Sequence, residues 1–149
     1  MTEIKIFTKE ELASRYHVRL ERYIKNMTIE VDTLKAMVST QILPSCFSYV
    51  GDLATQVAAC KTAAITPPQQ ASLEKIAKLS EQLQKQVLEL EQVNAKLEKK
   101  TSEDEKAAFL ASDVATLMEK MRHTADELES LVADDAWPLP KYREMLFLA

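Results

Sequence analysis

The chain has 149 residues, of which 46% are apolar and 28% charged, and it contains a single glycine, Gly51. Sheet proteins of this size spend glycine on turns, whereas a few long helices do not, so the composition argues for an all-α chain large enough to bury a core. Nineteen basic against twenty-three acidic residues give a net charge of −4, which offers no basic surface for nucleic acid.

The first helix opens at a capping box, Thr8 with Glu11 three residues on. Its apolar positions Leu12, Tyr16, Leu20, Tyr23, Met27, Val31, Leu34, Val38 and Ile42 recur in steps of three and four, which is one face of an α-helix over about 9–43. Glu21 and Lys25 stand in the favourable acid-first i,i+4 order on its wet side. Pro44 cannot donate to the Thr40 carbonyl, so the helix is expected to kink or break there. The pattern resumes with Phe47, Val50, Ala54 and Val57 over about 45–63.

Thr66-Pro67-Pro68-Gln69 reads as the next boundary, with Thr66 capping, Pro67 at the first helical position and Gln69 completing a second capping box. The following helix, about 67–100, repeats by sevens through Ile76, Leu83, Leu90 and Leu97, with Leu73, Ser80, Val87 and Asn94 offset. Ser80 and Asn94 are either polar interruptions of a coiled-coil seam or residues at its wet edge. Glu74–Lys78 and Glu81–Lys85 lace the outer face. Ser102 and Glu105 form a third capping box, and Leu110, Val114, Leu117, Met121, Thr124, Leu128 and Leu131 stripe a helix over about 103–133. Short connections between such segments predict one helical domain of long antiparallel helices, a bundle or a coiled-coil-like hairpin. Trp137-Pro138-Leu139-Pro140 cannot be helical and forms a short C-terminal strap, with a last helix over about 141–147. Trp137 is expected to pack that strap onto the bundle; the alternative is a peptide-recognition hot spot.

Sites of chemistry are not found. There is no glycine-rich phosphate loop, CxxC, HExxH or Gly-x-Ser-x-Gly, and the residues alone assign no catalytic, cofactor-binding or metal-ligating position. His123 has Glu119 and Glu127 one turn to either side, and His17 has Glu21, but a lone histidine on a charged helix face is better read as solvated than as a metal ligand. Methionines at helical spacing read as core filler. Cys46 and Cys60 lie about 21 Å apart along a straight helix axis, too far for a disulfide. Free thiols, no run near the ~20 apolar residues of a membrane span and no signal-peptide layout after Met1 give a cytoplasmic expectation.

Two blocks carry more than periodicity. Arg15-Tyr16, Leu20-Glu21-Arg22-Tyr23-Ile24-Lys25, Ile29-Glu30 and Ile42-Leu43-Pro44 make the first; Asp126-x-Leu128-Glu129 followed by Trp137-Pro138-Leu139-Pro140-Lys141-Tyr142 makes the second. Together they resemble the C-terminal region of type III glutamine synthetases. The resemblance implies a parent enzyme that makes glutamine from glutamate, ammonia and ATP with Mg or Mn. Its catalytic ligands would lie in an upstream domain, so no residue here is carried over as catalytic. It further implies a non-catalytic helical domain that packs on the catalytic domain of the same synthetase and on neighbouring subunits of a homo-oligomer, with no nucleic-acid or membrane partner. Arg15, Tyr16, Tyr23, Pro44, Trp137, Pro138, Pro140 and Tyr142 are the expected structural or docking positions. A free-standing coiled-coil adaptor is the competing reading.

Overall fold

The computed structural model describes residues 7–145, and among these every regular element is helical. Helix α1 runs Lys9–Met37, a π-helical turn Val38–Ile42 follows, and α2 runs Leu43–Thr62. Helix α3 spans Gln70–Glu98, and α4, Glu103–Phe109, passes through a second π-turn, Leu110–Val114, into α5, Ala115–Leu131. A short α6, Tyr142–Met145, closes the described chain, so the remainder of the expected 141–147 helix lies outside the described residues.

The Thr8–Glu11 box forms in full: the Glu11 amide donates to Thr8 Oγ1 and the Thr8 amide to Glu11 Oε2. From there helical hydrogen bonding continues to Thr62, a rod of about 80 Å at 1.5 Å per residue. The helix is not broken at Pro44. Instead the Leu43 amide reaches back five residues to the Val38 carbonyl, and this wider turn carries the rod up to the proline that lacks a donor.

The rod ends in a Schellman arrangement, with the Ala64 amide on Lys61 O at 3.1 Å and the Ile65 amide on Cys60 O at 2.9 Å. Two expected caps are corrected. Helix α3 begins at Gln70 rather than at Pro67, and no side chain caps it. Pro67 itself precedes a proline and resists the helical conformation, so residues 67–69 form a turn instead. Ser102 does stand at the N-cap of α4, but its side chain makes no capping bond. The acidic first turn behind it engages α1: the Tyr16 hydroxyl donates to Asp104, and His17 Nδ1 lies 3.7 Å from Glu103.

Helix α3 runs back along α2 and is flanked on its other side by α5, while α4 meets α1. Ile76, Leu83, Leu90 and Leu97 of the heptad stripe are buried, together with Leu110, Val114, Leu117, Met121 and Leu128 from the third helix. Ser80 is buried as well, its hydroxyl donating to Ile76 O at 2.8 Å, whereas Asn94 is half-buried. The Glu21–Lys25 and Glu81–Lys85 pairs form, but Glu74 accepts the Gln70 amide at 2.9 Å. The stripe of α1 divides. Val31, Val38 and Ile42 are buried, whereas Tyr16 and Tyr23 stand exposed, because the N-terminal half of α1 has α4 against it and not α3.

Candidate docking surface

The residues singled out from the sequence fall into two groups on this frame. Arg15, Tyr16 and Tyr23 lie on the N-terminal half of α1. The Arg15 guanidinium sits 4.4 Å above the Phe7 ring, and hydrogen bonding to Asp104, with that carboxylate's charge, raises the Tyr16 phenol above its ordinary value. Trp137 and Pro140 lie six and nine residues beyond the end of α5, on the segment that follows it. Pro44 and Pro138 are exposed, and the side chain of Tyr142 lies outside the described positions.

Trp137 is 8% exposed and joins the hydrophobic core, so it packs its segment onto the helices. Its indole N–H, buried, has no acceptor. Lys141 fixes the same segment from the other end. Its ammonium donates to Val132 O, at the C-terminus of α5, at 2.9 Å and pairs with Asp134 at 2.8 Å.

Between α1 and α5 this arrangement leaves an open groove of about 670 Å³. Its α1 wall is Ile29, Thr33, Leu34 and Met37, its α5 wall Met118 and Ala125, and Trp137, Leu139 and Pro140 close one end. The rim is acidic: Glu30, Glu119, Asp126 and Glu129 face a single guanidinium, that of Arg122. An apolar floor under a charged rim is suited to bind a helix or loop by burial and to select it by charge. The groove therefore brings Trp137 and Pro140 together but not Arg15, Tyr16 and Tyr23, which continue along α1 beyond it. The contribution of Met37, Met118 and Arg122 is missed by sequence reasoning; periodicity marks the methionines as apolar without saying that their neighbours leave a gap.

No group of three or more His, Cys, Asp or Glu among the described residues is placed to hold a metal ion, and His123 with Glu119 and Glu127 is exposed. No helix among them is long and apolar enough to cross a membrane.

Residues 1–61 match the family described as glutamine synthetase C-terminal domain. The type-3 glutamine synthetase of Dictyostelium discoideum is 33% identical over 158 residues, covering 99% of this chain. A glutamine synthetase of Butyrivibrio fibrisolvens is 32% identical over 95% of the chain, and one of Bacteroides fragilis 28% identical over 96%. In each case the chain spans 21% of the relative's length. The family match contains the first block, and the relatives' alignments extend over most or all of the rest. Over residues 1–61 the chain is thus similar to the C-terminal domain of glutamine synthetases, and over nearly its whole length to one-fifth of glutamine synthetases that include a type-3 enzyme.

Proposed function

We propose that this chain serves as a non-catalytic assembly domain of a type III glutamine synthetase, packing on the catalytic portion and on neighbouring subunits. The reaction, glutamine formation from glutamate, ammonia and ATP with Mg or Mn, belongs to the remaining four-fifths of such an enzyme. The observation that carries this reading is the match of nearly the whole chain to 21% of each relative. It is supported by what the helices leave uncovered: an open apolar groove and the exposed Tyr16 and Tyr23. A lone helical bundle gains nothing from exposing aromatic rings, whereas interfaces are enriched in them.

The same proposal takes the chain as a single helical domain, with the rod bending at Pro44 and residues 134–141 acting as a strap. Arg15, Tyr16, Tyr23, Pro44, Trp137, Pro138, Pro140 and Tyr142 serve as its structural and docking positions. A cytoplasmic setting follows from the two free thiols.

The test is a pull-down and a glutamine-forming assay with this chain alone and with a matching catalytic portion supplied in trans. The expected result is an inert chain that binds the catalytic portion or restores its activity. A chain that ignores that portion in both assays is instead a separate helical adaptor.

A further inference from the structure

The groove between α1 and α5 leaves charge unmatched as well as apolar surface uncovered. On its rim Arg122 and Asp126, one turn apart on α5, are already paired, Nε to Oδ2 at 3.8 Å. Glu30 on the α1 wall and Glu119 on the α5 wall are exposed, and neither has a hydrogen bond or ion pair among the described residues. Water ordinarily satisfies exposed carboxylates, so the pair alone marks nothing; the floor between them sets it apart. Ile29, beside Glu30, is left 64% exposed, and Leu34, Met37, Met118 and Leu139 are only half-buried. The α1 wall runs from Ile29 to Ile42, about 20 Å at 1.5 Å per residue, and the facing wall is a helix too. A trough of that length between two helices takes about three and a half turns of a third. Such a helix reaches the floor with side chains at i, i+3, i+4 and i+7, and methionines adapt their shape to them.

We infer that the groove seats an amphipathic helix whose apolar side is flanked by lysines or arginines, one toward Glu30 and another toward Glu119. The inference rests on the assembly role proposed above, which places that helix in the remaining four-fifths of the synthetase. Its apolar side chains cover Ile29 and the methionines and supply affinity. Its cations decide which helix is accepted, because an acidic one meets two unpaired carboxylates of like sign. The chain's own last residues, Leu146-Phe147-Leu148-Ala149, bring no basic side chain to match them.

Trp137 is the chain's one tryptophan and lines the groove, so its emission reports the binding of tryptophan-free peptides. Three helical peptides of about 14 residues, matched to the groove's length, are titrated into the 149-residue chain. The first carries leucines on one side with flanking lysines, the second has glutamates for the lysines, and the third alanines for the leucines. The first is expected to bind, and the other two more than about tenfold more weakly. Glu30→Lys/Glu119→Lys should reverse the preference between lysine and glutamate peptides. Asp52→Lys/Glu98→Lys, an equal change of charge outside the groove, should leave it as it was. All four positions are exposed, and far-UV circular dichroism verifies that both variants stay helical. The same variants are then compared with wild type for binding to a matching catalytic portion, where only the groove variant should lose more than about tenfold in affinity. Undiminished binding by that variant leaves the assembly role standing and overturns the inference. A lysine peptide bound no better than the others, or weakened as much by the control pair, overturns it as well. A wild type that ignores the catalytic portion ends the assembly role and this source for the helix together. Sedimentation equilibrium showing a dimer that the groove variant breaks would give the groove to a second copy and overturn the inference in another way.

Discussion

The Lys141 ammonium donates to the carbonyl oxygen of Val132 at 2.9 Å, tying the end of the Trp137-Pro138-Leu139-Pro140 segment to the last turn of α5. That carbonyl belongs to a helix end whose acceptors have no partner in the next turn, and the helix dipole adds negative potential there. Lysine is rarely buried, yet Lys141 is, because both Val132 and Asp134 satisfy its charge. Replacing it with methionine keeps the apolar stem and removes the donors. The expected cost of Lys141→Met is about 1.5–3 kcal/mol, the range for hydrogen bonds to charged groups. Asp134→Asn, altering an exposed partner, should cost less than about 1 kcal/mol. Urea denaturation followed by Trp137 fluorescence checks both.

What the sequence made legible is what local physics decides. The Thr8–Glu11 box, the 3-4 stripe of α5 and the heptads of α3 depend on neighbours within two turns, and all three stand in the structure. The capping boxes at Thr66 and Ser102 do not form: a double proline resists the helix in the first case, and in the second Ser102 stands at the N-cap without a side-chain bond, while the turn's Asp104 and Glu103 engage Tyr16 and His17 of α1. Periodicity also could not tell that Tyr16 and Val38, on one apolar stripe, would end at opposite extremes of burial. That depends on where α3 stops, a tertiary fact. The groove is illegible for the same reason, since its walls come from helices some ninety residues apart in sequence.

Cys46 and Cys60 should react at very different rates. Cys46 is fully buried, and burial pushes its thiol up, with contact to Ser80 opposing only part of that shift. Cys60 is half-buried near the end of α2. With a maleimide or an aromatic disulfide under native conditions, Cys60 is expected to be modified first. Cys46 should follow only at the rate of local opening, and both should react together in denaturant. Mass spectrometry of peptides after timed quenching reads the order, and equal rates under native conditions would contradict the burial of Cys46.

The Tyr16–Asp104 contact makes a prediction at alkaline pH. Hydrogen bonding to the carboxylate, reinforced by its charge, raises the Tyr16 phenol above 10.0. A folded-state value raised above the unfolded one means the contribution is fully present below the unfolded value and is lost as pH rises through the folded one. The junction of α1 with α4 should therefore loosen only at pH beyond the ordinary tyrosine range. Absorbance titration of phenolate should show one tyrosine ionising late in the wild type, and that late step should vanish in Tyr16→Phe and shift down in Asp104→Asn.

The single glycine and one alanine occupy each other's best positions. Gly51 lies inside α2 with φ in the ordinary range, is exposed, and a Cβ built on it meets nothing within 4 Å. Glycine in a helix interior forfeits about 0.5–1 kcal/mol relative to alanine through backbone entropy, so Gly51→Ala is expected to stabilise by that amount. Ala64 carries φ of 56°, the left-handed position of the Schellman turn that ends α2. A Cβ in that conformation costs roughly 1–2 kcal/mol, and glycine removes most of it at the expense of a looser unfolded chain. Ala64→Gly should therefore stabilise by about 1 kcal/mol. The two sites are thirteen residues apart, about 20 Å along the helix, and share no partner, so their effects should add. Thermal and urea denaturation of the two single variants and the double variant would test this. A destabilised Ala64→Gly would mean that the left-handed turn is not adopted in solution, and that α2 ends by some other route.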